Sequence, residues 1–464
     1  MLDKNKIKIS INNNEKIEIN KGMTIAQIIQ EVKGEKDATI VAAKVNNELR
    51  ELTYEVEDAC NIEFIDVTTA DGSRIYQRSL SFVFIRAAME IFPKAKVTVE
   101  HSLSKGLYCE IHDKRKINKE DVSKIEDRMD EIVKDDVPLL KNSVSLEKAR
   151  NIFTDLGMSA KTKLMEFRDE NEINIYSCGW LQNYFYGYMV PSTGYLKLFE
   201  LKYYEPGLIL RFPEKSNPNE LPEFKEQKKL ASIFREAEKW GGIMEVPYVA
   251  DLNKQIQKDT YPELIRIAEG LHEKKIVEIA NRITEENKRI ILIAGPSSSG
   301  KTTFAQRLAI QLKVNGLKPI SVSLDDYFVN REHTPIDENG EYDFEALEAV
   351  ELELFNNHLT KLLNGERVEI PTFNFYKGER EYNGKYLEIT KKQPIIIEGI
   401  HGLNDQLTQS ISHDKKFKIY ISALTQLNID NHNRIPTTDG RLIRRIVRDS
   451  KYRGHSALTT LKLW

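Results

Sequence analysis

GPSSSGKTT, residues Gly295–Thr303, is the stretch that decides the fold of the C-terminal part of this 464-residue chain. It fits the pattern G-x-x-x-x-G-K-[ST] and stands between an apolar run, Ile290 to Ala294, and an amphipathic segment. Glycines at both ends let the backbone turn its N–H groups inward at the start of a helix, which favours phosphate. A chance glycine- and serine-rich turn is the alternative, and the Lys301-Thr302 pair argues against it. The stretch therefore predicts a phosphate-binding loop.

Two side chains of this loop predict the cofactors. Lys301 is expected to bridge the outer phosphates of ATP, and the hydroxyl of Thr302 to help hold Mg²⁺. The candidate nucleotide-binding residues of the loop are Gly295, Pro296, Ser297, Ser298, Ser299, Gly300, Lys301, Thr302 and Thr303.

Apolar runs alternate with helical patterns from the loop onward. Strands are predicted at 290–294, 319–324, 394–398 and 418–422, with helical stretches between them. Such alternation is typical of a mainly parallel sheet covered on both faces.

Two carboxylates follow the second predicted strand. Asp325 and Asp326 lie where open α/β sheets bind ligands, at the carboxyl ends of the strands. A carboxylate there could accept the proton of a hydroxyl that attacks phosphorus. The alternative is an Asp pair that caps the loop. A GTPase would carry a guanine-reading NKxD segment after a later strand of this sheet, and none follows the loop here, which argues against a GTPase switch.

These segments resemble the uridine kinase and phosphoribulokinase family. The segment from Asp325 is similar to the family's D-[SD]-[FY]-[YF] motif, which implies that Asp325 is the general base. Tyr342–Ala346 is similar to F-D-H-P-D-A, which implies that Asp343 holds the hydroxyls of the substrate. Glu398 matches the family's E-G-I turn and would bind Mg²⁺ together with Thr302; capping of the next turn is the alternative.

An arginine-rich segment resembles the lid of the same family. It has the sequence DGRLIRRIVRDSKYRG, residues Asp439–Gly454, and helical spacing puts its first arginines on one face. A solvated charged helix is the alternative. The resemblance implies that Arg445 contacts the substrate, that Arg448 and Arg453 face phosphate, and that Arg448 and Lys301 are catalytic together with Asp325. The arginines of that face are Arg441, Arg444, Arg445 and Arg448.

The chain departs from the family where uridine kinases read the pyrimidine base. The Tyr of their Y-D-F-x-x-H segment is Phe373 here, and its His is Gly378. His455 stands at a further position where a substrate-binding arginine is expected. Phe373 remains a candidate substrate-binding residue. The chain stops at Trp464, where kinases of the family continue, which indicates a C-terminally incomplete kinase domain.

The N-terminal half has a different pattern. Apolar residues alternate between Ile7 and Ile19, and Thr24 with Gln27 forms a capping box that predicts a helix start. Residues 1–212 resemble the front of threonyl-tRNA synthetases, a TGS-type β-grasp module followed by an editing-type domain. The strings KIEDRMDEI, within Val122–Ile132, and VPSTGY, Val190–Tyr195, carry this resemblance.

The catalytic signature of that editing domain is missing. The positions of its HSxxH and CxxxH pairs hold Arg78, Phe82, Phe185 and Met189, which cannot bind metal or relay the same protons. We therefore expect no deacylation of tRNA by this half.

The predicted fold class is multidomain, α+β and α/β. The chain would comprise a TGS-like β-grasp domain (1–68), an α+β editing-like domain (69–225), a helical connector (226–288) and a P-loop kinase domain with a mainly parallel sheet (289–464).

With 68 Lys and Arg against 71 Asp and Glu, the net charge of −3 gives no overall attraction to nucleic acid or membrane. Three separated cysteines and the lack of a signal peptide or apolar span predict a cytoplasmic protein.

The leading functional hypothesis is an ATP- and Mg²⁺-dependent kinase that phosphorylates a hydroxyl of a nucleoside, uridine or cytidine in type. Two alternatives stay open: an RNA-associated ATP-binding regulatory protein with little turnover, and a kinase of a sugar phosphate or other small alcohol. RNA contact through the N-terminal half and homo-oligomer formation are also left open.

Overall fold

The computed structural model describes residues 6–12, 15–34, 39–338, 340, 342–374, 376–390, 392–425, 427–452 and 454–464. The chain forms two compact units. The first comprises Met1–Tyr261 and Leu427–Ile435, and the second Pro262–Gln426 and Pro436–Trp464.

The first part of unit one is a β-grasp module. Its main sheet has the order β2-β1-β7-β4-β5, with β1 parallel to β7 and the other pairs antiparallel. Helix α1 begins after Thr24, which forms the predicted capping box with Gln27, and ends at the left-handed Gly34. The elements are β1 (Lys6–Ile11), β2 (Glu15–Asn20), β3 (Met23–Thr24), α1 (Ile25–Lys33), β4 (Ile40–Val45), β5 (Glu48–Arg50), β6 (Glu55–Val56) and β7 (Asn61–Asp66).

The second part of unit one is the predicted α+β fold. Two sheets are present, with the orders β13-β14-β9-β8 and β10-β11-β12. Its elements are α2 (Ala70–Ile91), β8 (Lys96–Leu103), β9 (Gly106–His112), α3 (Lys119–Lys134), β10 (Leu139–Ser145), α4 (Leu146–Asp155), α5 (Ser159–Leu164), β11 (Glu172–Cys178), β12 (Leu181–Asn183), β13 (Glu200–Tyr204) and β14 (Gly207–Arg211).

Three helices fall within the stretch predicted as a connector. Helices α6 (Lys228–Ile243) and α7 (Val249–Gln257) lie in unit one. Helix α8 (Tyr261–Glu285) lies almost wholly in unit two, where Ile276, Ala280 and Ile283 are buried against the sheet.

The centre of unit two is a four-stranded sheet in which every pairing is parallel, with the order β16-β21-β15-β22. Successive residues of β15 alternate between two cores: Ile290 and Leu292 face one, Ile291 and Ile293 the other. Both faces of the sheet are therefore covered, as the apolar runs predicted. The last strand begins two residues before its predicted start.

The elements of unit two that follow α8 in the chain are the four strands of this sheet and the shorter strands and helices between and after them. They are β15 (Ile290–Ala294), α9 (Lys301–Val314), β16 (Ile320–Ser323), α10 (Leu352–Leu363), β17 (Val368–Glu369), β18 (Thr372–Asn374), β19 (Glu379–Glu381), β20 (Tyr386–Leu387), β21 (Ile395–Glu398), β22 (Lys416–Tyr420), α11 (Thr437–Tyr452) and α12 (Ala457–Lys462). Among the described residues, no helix combines the length and the apolar character that a membrane span requires.

Candidate active site

The GPSSSGKTT loop joins the end of β15 to the start of α9, at the carboxyl edge of the parallel sheet. Ser298 and Gly300 adopt positive φ angles of 60° and 98°, which turns the backbone sharply before the helix. A Cβ at Gly295 would lie 1.9 Å from the carbonyl oxygen of Ile421, so glycine is required there by close packing. The loop thus has the tight turn at a helix N-terminus that suits phosphate.

Two hydroxyls of the loop fit a phosphate ligand. The Oγ atoms of Ser298 and Ser299 are buried, and neither has a hydrogen-bond partner within the described residues. Buried polar atoms in proteins are nearly always hydrogen-bonded, so exceptions of this kind call for an explanation. The oxygens of a bound nucleotide's phosphates would accept both hydrogen bonds.

Lys301 begins α9 and folds back over the loop. Its Nζ donates to the carbonyl oxygens of Gly295 at 2.9 Å and Pro296 at 3.4 Å. Partial burial is the main cause that lowers the pKa of Lys301, and nearby arginines lower it further, whereas the carboxylates of Glu398 and Asp325 oppose the shift. The positive charge is therefore costly here unless anionic groups surround it.

Thr302 and Glu398 meet across the site. The hydroxyl of Thr302 donates to Glu398 Oε1 at 3.0 Å. Burial raises the pKa of Glu398, Asp325 raises it further, and Thr302 and Lys301 oppose the shift. Within the described residues, no cluster of three or more His, Cys, Asp and Glu side chains could hold a metal ion. One hydroxyl and one carboxylate still fit Mg²⁺, which binds through few protein groups together with water and phosphate oxygens.

The adjacent Asp325 and Asp326 have different environments. Asp326 is half-buried, and its Oδ1 accepts a hydrogen bond from the backbone N–H of Phe373 at 3.4 Å. Burial raises the pKa of Asp326. Asp325 is exposed, and its charge acts on both Lys301 and Glu398. Asp326 is thus tied to a hairpin that is distant in the chain, while Asp325 lies within electrostatic range of Lys301 and Glu398.

The two candidate substrate residues outside the lid are placed differently. Asp343 Oδ1 accepts from the backbone N–H groups of Glu345 at 2.8 Å and Ala346 at 3.1 Å, so one carboxylate oxygen holds the local turn. Phe373 is only 6% exposed and packs edge-on against Phe328 at 5.6 Å. The role of Phe373 in binding a substrate stays a prediction. Because its ring is buried, Phe373 could offer a substrate only an apolar contact.

Residues 439–452 of the arginine-rich segment lie in helix α11, and two of its arginines contact the phosphate loop. Arg444 Nε donates to the carbonyl oxygen of Ser298 at 3.1 Å, and Arg448 Nη1 donates to Ser297 Oγ at 3.3 Å. Arg444 and Arg448 therefore contact the loop, which disfavours a purely solvated helix, whereas Arg441 and Arg445 lie over the ring of Trp464 at 5.1 and 5.6 Å. Arg453, the further phosphate-facing candidate, lies outside the described residues.

A carboxylate in the lid was missed from the sequence. Asp449 is 1% exposed and accepts from Arg448 Nε at 2.9 Å, while Arg445 Nε lies 3.6 Å from its other oxygen. This pairing orients two guanidinium groups and offsets their mutual repulsion. Asp449 follows Arg448 by one residue and Arg445 by four residues. On a helix, a carboxylate four residues after an arginine lies beside it, and this spacing could have identified the pair from the sequence.

In unit one, the four editing positions are filled by packed side chains. Phe82 and Phe185 are buried with their ring centroids 5.2 Å apart, and Met189 is also buried. Arg78 Nη1 donates to the carbonyl oxygen of Tyr188 at 2.6 Å. Burial lowers the pKa of Arg78.

A phosphate-binding loop at the carboxyl edge of a parallel sheet, with a lysine, carboxylates and lid arginines around it, defines a P-loop kinase domain in unit two. In agreement, residues 290–463 match the family model described as "Phosphoribulokinase / Uridine kinase family".

The N-terminal region is similar to threonine–tRNA ligases. The enzyme of Symbiobacterium thermophilum is 29% identical over 181 residues, which cover 39% of this chain and 28% of that enzyme. The enzyme of Thermotoga maritima is 29% identical over 199 residues, which cover 42% of this chain and 30% of that enzyme. The chain thus spans less than a third of the length of these curated relatives.

Solved structures give weaker matches. A putative fructose transport system kinase from Silicibacter sp. TM1040 is 17% identical, with a TM-score of 0.29, over 40% of this chain and 86% of that one. A possible uridine kinase from Bacillus stearothermophilus is 20% identical, with a TM-score of 0.25, over 36% of this chain and 80% of that one. Likenesses this low add no weight to the family match.

Proposed function

We propose that the protein transfers the γ-phosphate of ATP to a hydroxyl group of a nucleoside, uridine-like or cytidine-like. The observation that carries the proposal is the division between Asp325 and Asp326. The second carboxylate holds the neighbouring hairpin, and the first is exposed within electrostatic range of Lys301 and Glu398. A carboxylate so placed can act on an acceptor beside the phosphate loop.

The proposed reaction is a direct transfer. The acceptor hydroxyl attacks the γ-phosphorus, its proton passes to the carboxylate of Asp325, and the bond from the γ-phosphorus to the bridging oxygen of ADP breaks. Lys301 and Arg448 stabilise the negative charge on the phosphate oxygens. Bound Mg²⁺ would be held by Thr302 and Glu398 and would neutralise part of the phosphate charge.

The acceptor would lie beside Asp343 and the hairpin of β18 and β19. Asp343 has one carboxylate oxygen engaged in its turn and can use the other to bind a hydroxyl of the acceptor. The family match and the similarity of its segment to the family motif favour a ribose.

One observation favours a sugar phosphate as a second candidate. Gly378 has a φ of 75° and packs closely against Arg331, whose backbone N–H donates to the Gly378 carbonyl oxygen at 2.8 Å. The position where uridine kinases carry a histidine is thus bordered by a guanidinium group, which suits an anionic acceptor.

The test is an ATP-coupled assay of the full chain over a panel of nucleosides and sugar phosphates. We expect Mg²⁺-dependent ADP release with at least one nucleoside, and none with Lys301→Met. Transfer only to sugar phosphates would favour the second candidate. ATP binding without turnover on any acceptor would contradict the kinase proposal and favour an ATP-binding regulatory protein, whose RNA binding through the N-terminal half can then be measured.

We also propose that the synthetase-like half is a non-catalytic platform. The packing of Phe82 against Phe185 and the engagement of Arg78 with a backbone carbonyl support this, because they leave no metal ligand or proton relay at the editing positions. Incubation with threonyl- and seryl-tRNA should leave both ester bonds intact. Enzyme-dependent hydrolysis of either would contradict the proposal.

A further inference from the structure

A nine-residue segment of the C-terminal region belongs to the first unit. Leu427–Ile435, with the sequence LNIDNHNRI, is part of unit one, although the chain before and after it belongs to unit two. Ile435 is followed at once by Pro436 and by lid helix α11. We call Leu427–Ile435 the anchor segment.

A buried ion pair fixes the centre of the anchor segment. Lys161 Nζ lies 2.9 Å from Asp430 Oδ1, and the two side chains are 1% and 0% exposed. Lys161 Nζ also donates to the carbonyl oxygen of Tyr184 at 3.0 Å. Asp430 Oδ1 accepts from the backbone N–H groups of His432 at 2.8 Å and Asn433 at 3.0 Å. Both charges are therefore paired and hydrogen-bonded, as burial demands.

Further bonds hold the segment along its length. The backbone N–H of Val99 donates to the carbonyl oxygen of Asn431 at 2.8 Å, in the manner of strand pairing. Side-chain hydrogen bonds also join Asn428 to Glu100 at 3.0 Å, Asn183 to His432 at 3.1 Å, Asn433 to the carbonyl oxygen of Tyr184 at 3.0 Å and Arg434 to Ser102 at 2.7 Å.

A buried ion pair contributes little net stability, because desolvation offsets the attraction, but its strict geometry fixes position. Here the fixed position lies a few residues before the helix whose Arg444 and Arg448 contact the phosphate loop. We propose that Lys161 and Asp430 are positioning residues for the phosphoryl transfer: by holding the anchor segment, they restrain the chain that enters helix α11, whose arginines contact the phosphate loop. This inference rests on the proposed function.

The first test changes the connection and leaves the anchor intact. Four residues, Gly-Ser-Gly-Ser, are inserted between Ile435 and Pro436, and the same insertion after Gly316, at an exposed turn beyond α9, serves as the control. Because misplaced charge-stabilising groups lower the rate of the chemical step, we expect kcat to fall by about tenfold to 100-fold in the first variant only. KM for ATP should change by less than about threefold, since the loop itself binds the phosphates. An unchanged kcat would overturn the proposal.

The second test removes the ion pair. Lys161→Met combined with Asp430→Asn leaves no unpaired charge, and a fall in kcat similar to that of the insertion is expected. Normal kcat in a folded double variant would overturn the role of the pair. If the double variant does not fold, the kcat of the insertion variant alone tests the proposal.

A readout that needs no turnover separates this inference from the proposed function. In the wild-type chain, the non-hydrolysable analogue AMP-PNP should slow hydrogen exchange at the amides of His432 and Asn433 by at least about threefold, because coupling between sites is reciprocal. The insertion at Ile435 should abolish the effect. Protection that does not respond to AMP-PNP overturns the coupling, whereas a wild-type chain that responds but transfers no phosphate contradicts only the proposed function.

Discussion

The phosphate loop of unit two and the editing positions of unit one contrast in how their polar groups are used. Around the loop, buried hydroxyls of Ser298 and Ser299 have no partner within the described residues, and Lys301 carries its charge in a partly buried place. At the editing positions, Phe82 and Phe185 pack against each other with almost no exposed surface.

This difference separates a site built for a ligand from a site filled by its own side chains. Unpaired polar atoms and partly buried charges cost free energy in the absence of a ligand, and they persist where a ligand repays that cost. Packed aromatic rings instead contribute to stability. The contrast predicts that substitutions around the loop change catalysis, whereas substitutions at the editing positions change folding stability.

The largest expected effect is on catalysis at Asp325. Asp325→Asn should lower kcat by about 10²–10⁴-fold, because the acceptor loses its general base. The affinity for ATP should stay within a few-fold of wild type, since the base acts on the barrier. Steady-state kinetics and ATP titration measure the two quantities.

Asp326→Asn is the matched control for this substitution. It should keep kcat within a few-fold of wild type, since Asp326 holds the hairpin through the N–H of Phe373. Equal losses of kcat in the two variants would remove the distinction between the two carboxylates.

At the editing positions the expected effect is on stability. Phe82 is 0% exposed, and Phe82→Ala should lower the free energy of unfolding of unit one by about 3–5 kcal/mol through the cavity it leaves. Urea unfolding measures this change through the tryptophan fluorescence, to which Trp180 and Trp240 of unit one contribute.

Met189→Leu, which nearly conserves volume, should cost less than about 1.5 kcal/mol and is the control. If Phe82→Ala costs no more than this control, Phe82 does not pack tightly against Phe185 in the folded chain.

The smallest expected effect is a pH dependence of unit one. Burial, reinforced by the charge of Lys161, lowers the pKa of His432 to about 3. Below the unfolded pKa of about 6.5 the unfolded chain takes up a proton that the folded chain does not, so stability falls as the pH falls. Between about pH 6.5 and pH 5 the loss should reach about 2 kcal/mol.

His432→Asn should remove this part of the pH dependence. Urea unfolding at several pH values measures the difference. Parallel stability profiles for wild type and His432→Asn would show that His432 is not held neutral by burial.

The parallel sheet and the phosphate loop could be predicted because their signals are local. Apolar runs give the strands, and the spacing of Gly295, Gly300 and Lys301 gives the loop. The division between Asp325 and Asp326 could not be predicted, since it depends on a hairpin that begins 46 residues after Asp326, at Thr372. The burial of Asp430 was also hidden, because a polar run between a strand and a helix predicts a surface loop. Its partner, Lys161, lies 269 residues away in the chain.

Calorimetric titration of ATP with Mg²⁺ into the wild-type chain and into Lys301→Met tests most directly whether the phosphate loop binds a nucleotide. We expect saturable binding with one site per chain in the wild type, and an affinity lower by about tenfold or more in the variant, because a charge-assisted contact to phosphate is lost. Absence of ATP binding by the folded wild-type chain, or equal affinity in the two proteins, would contradict it.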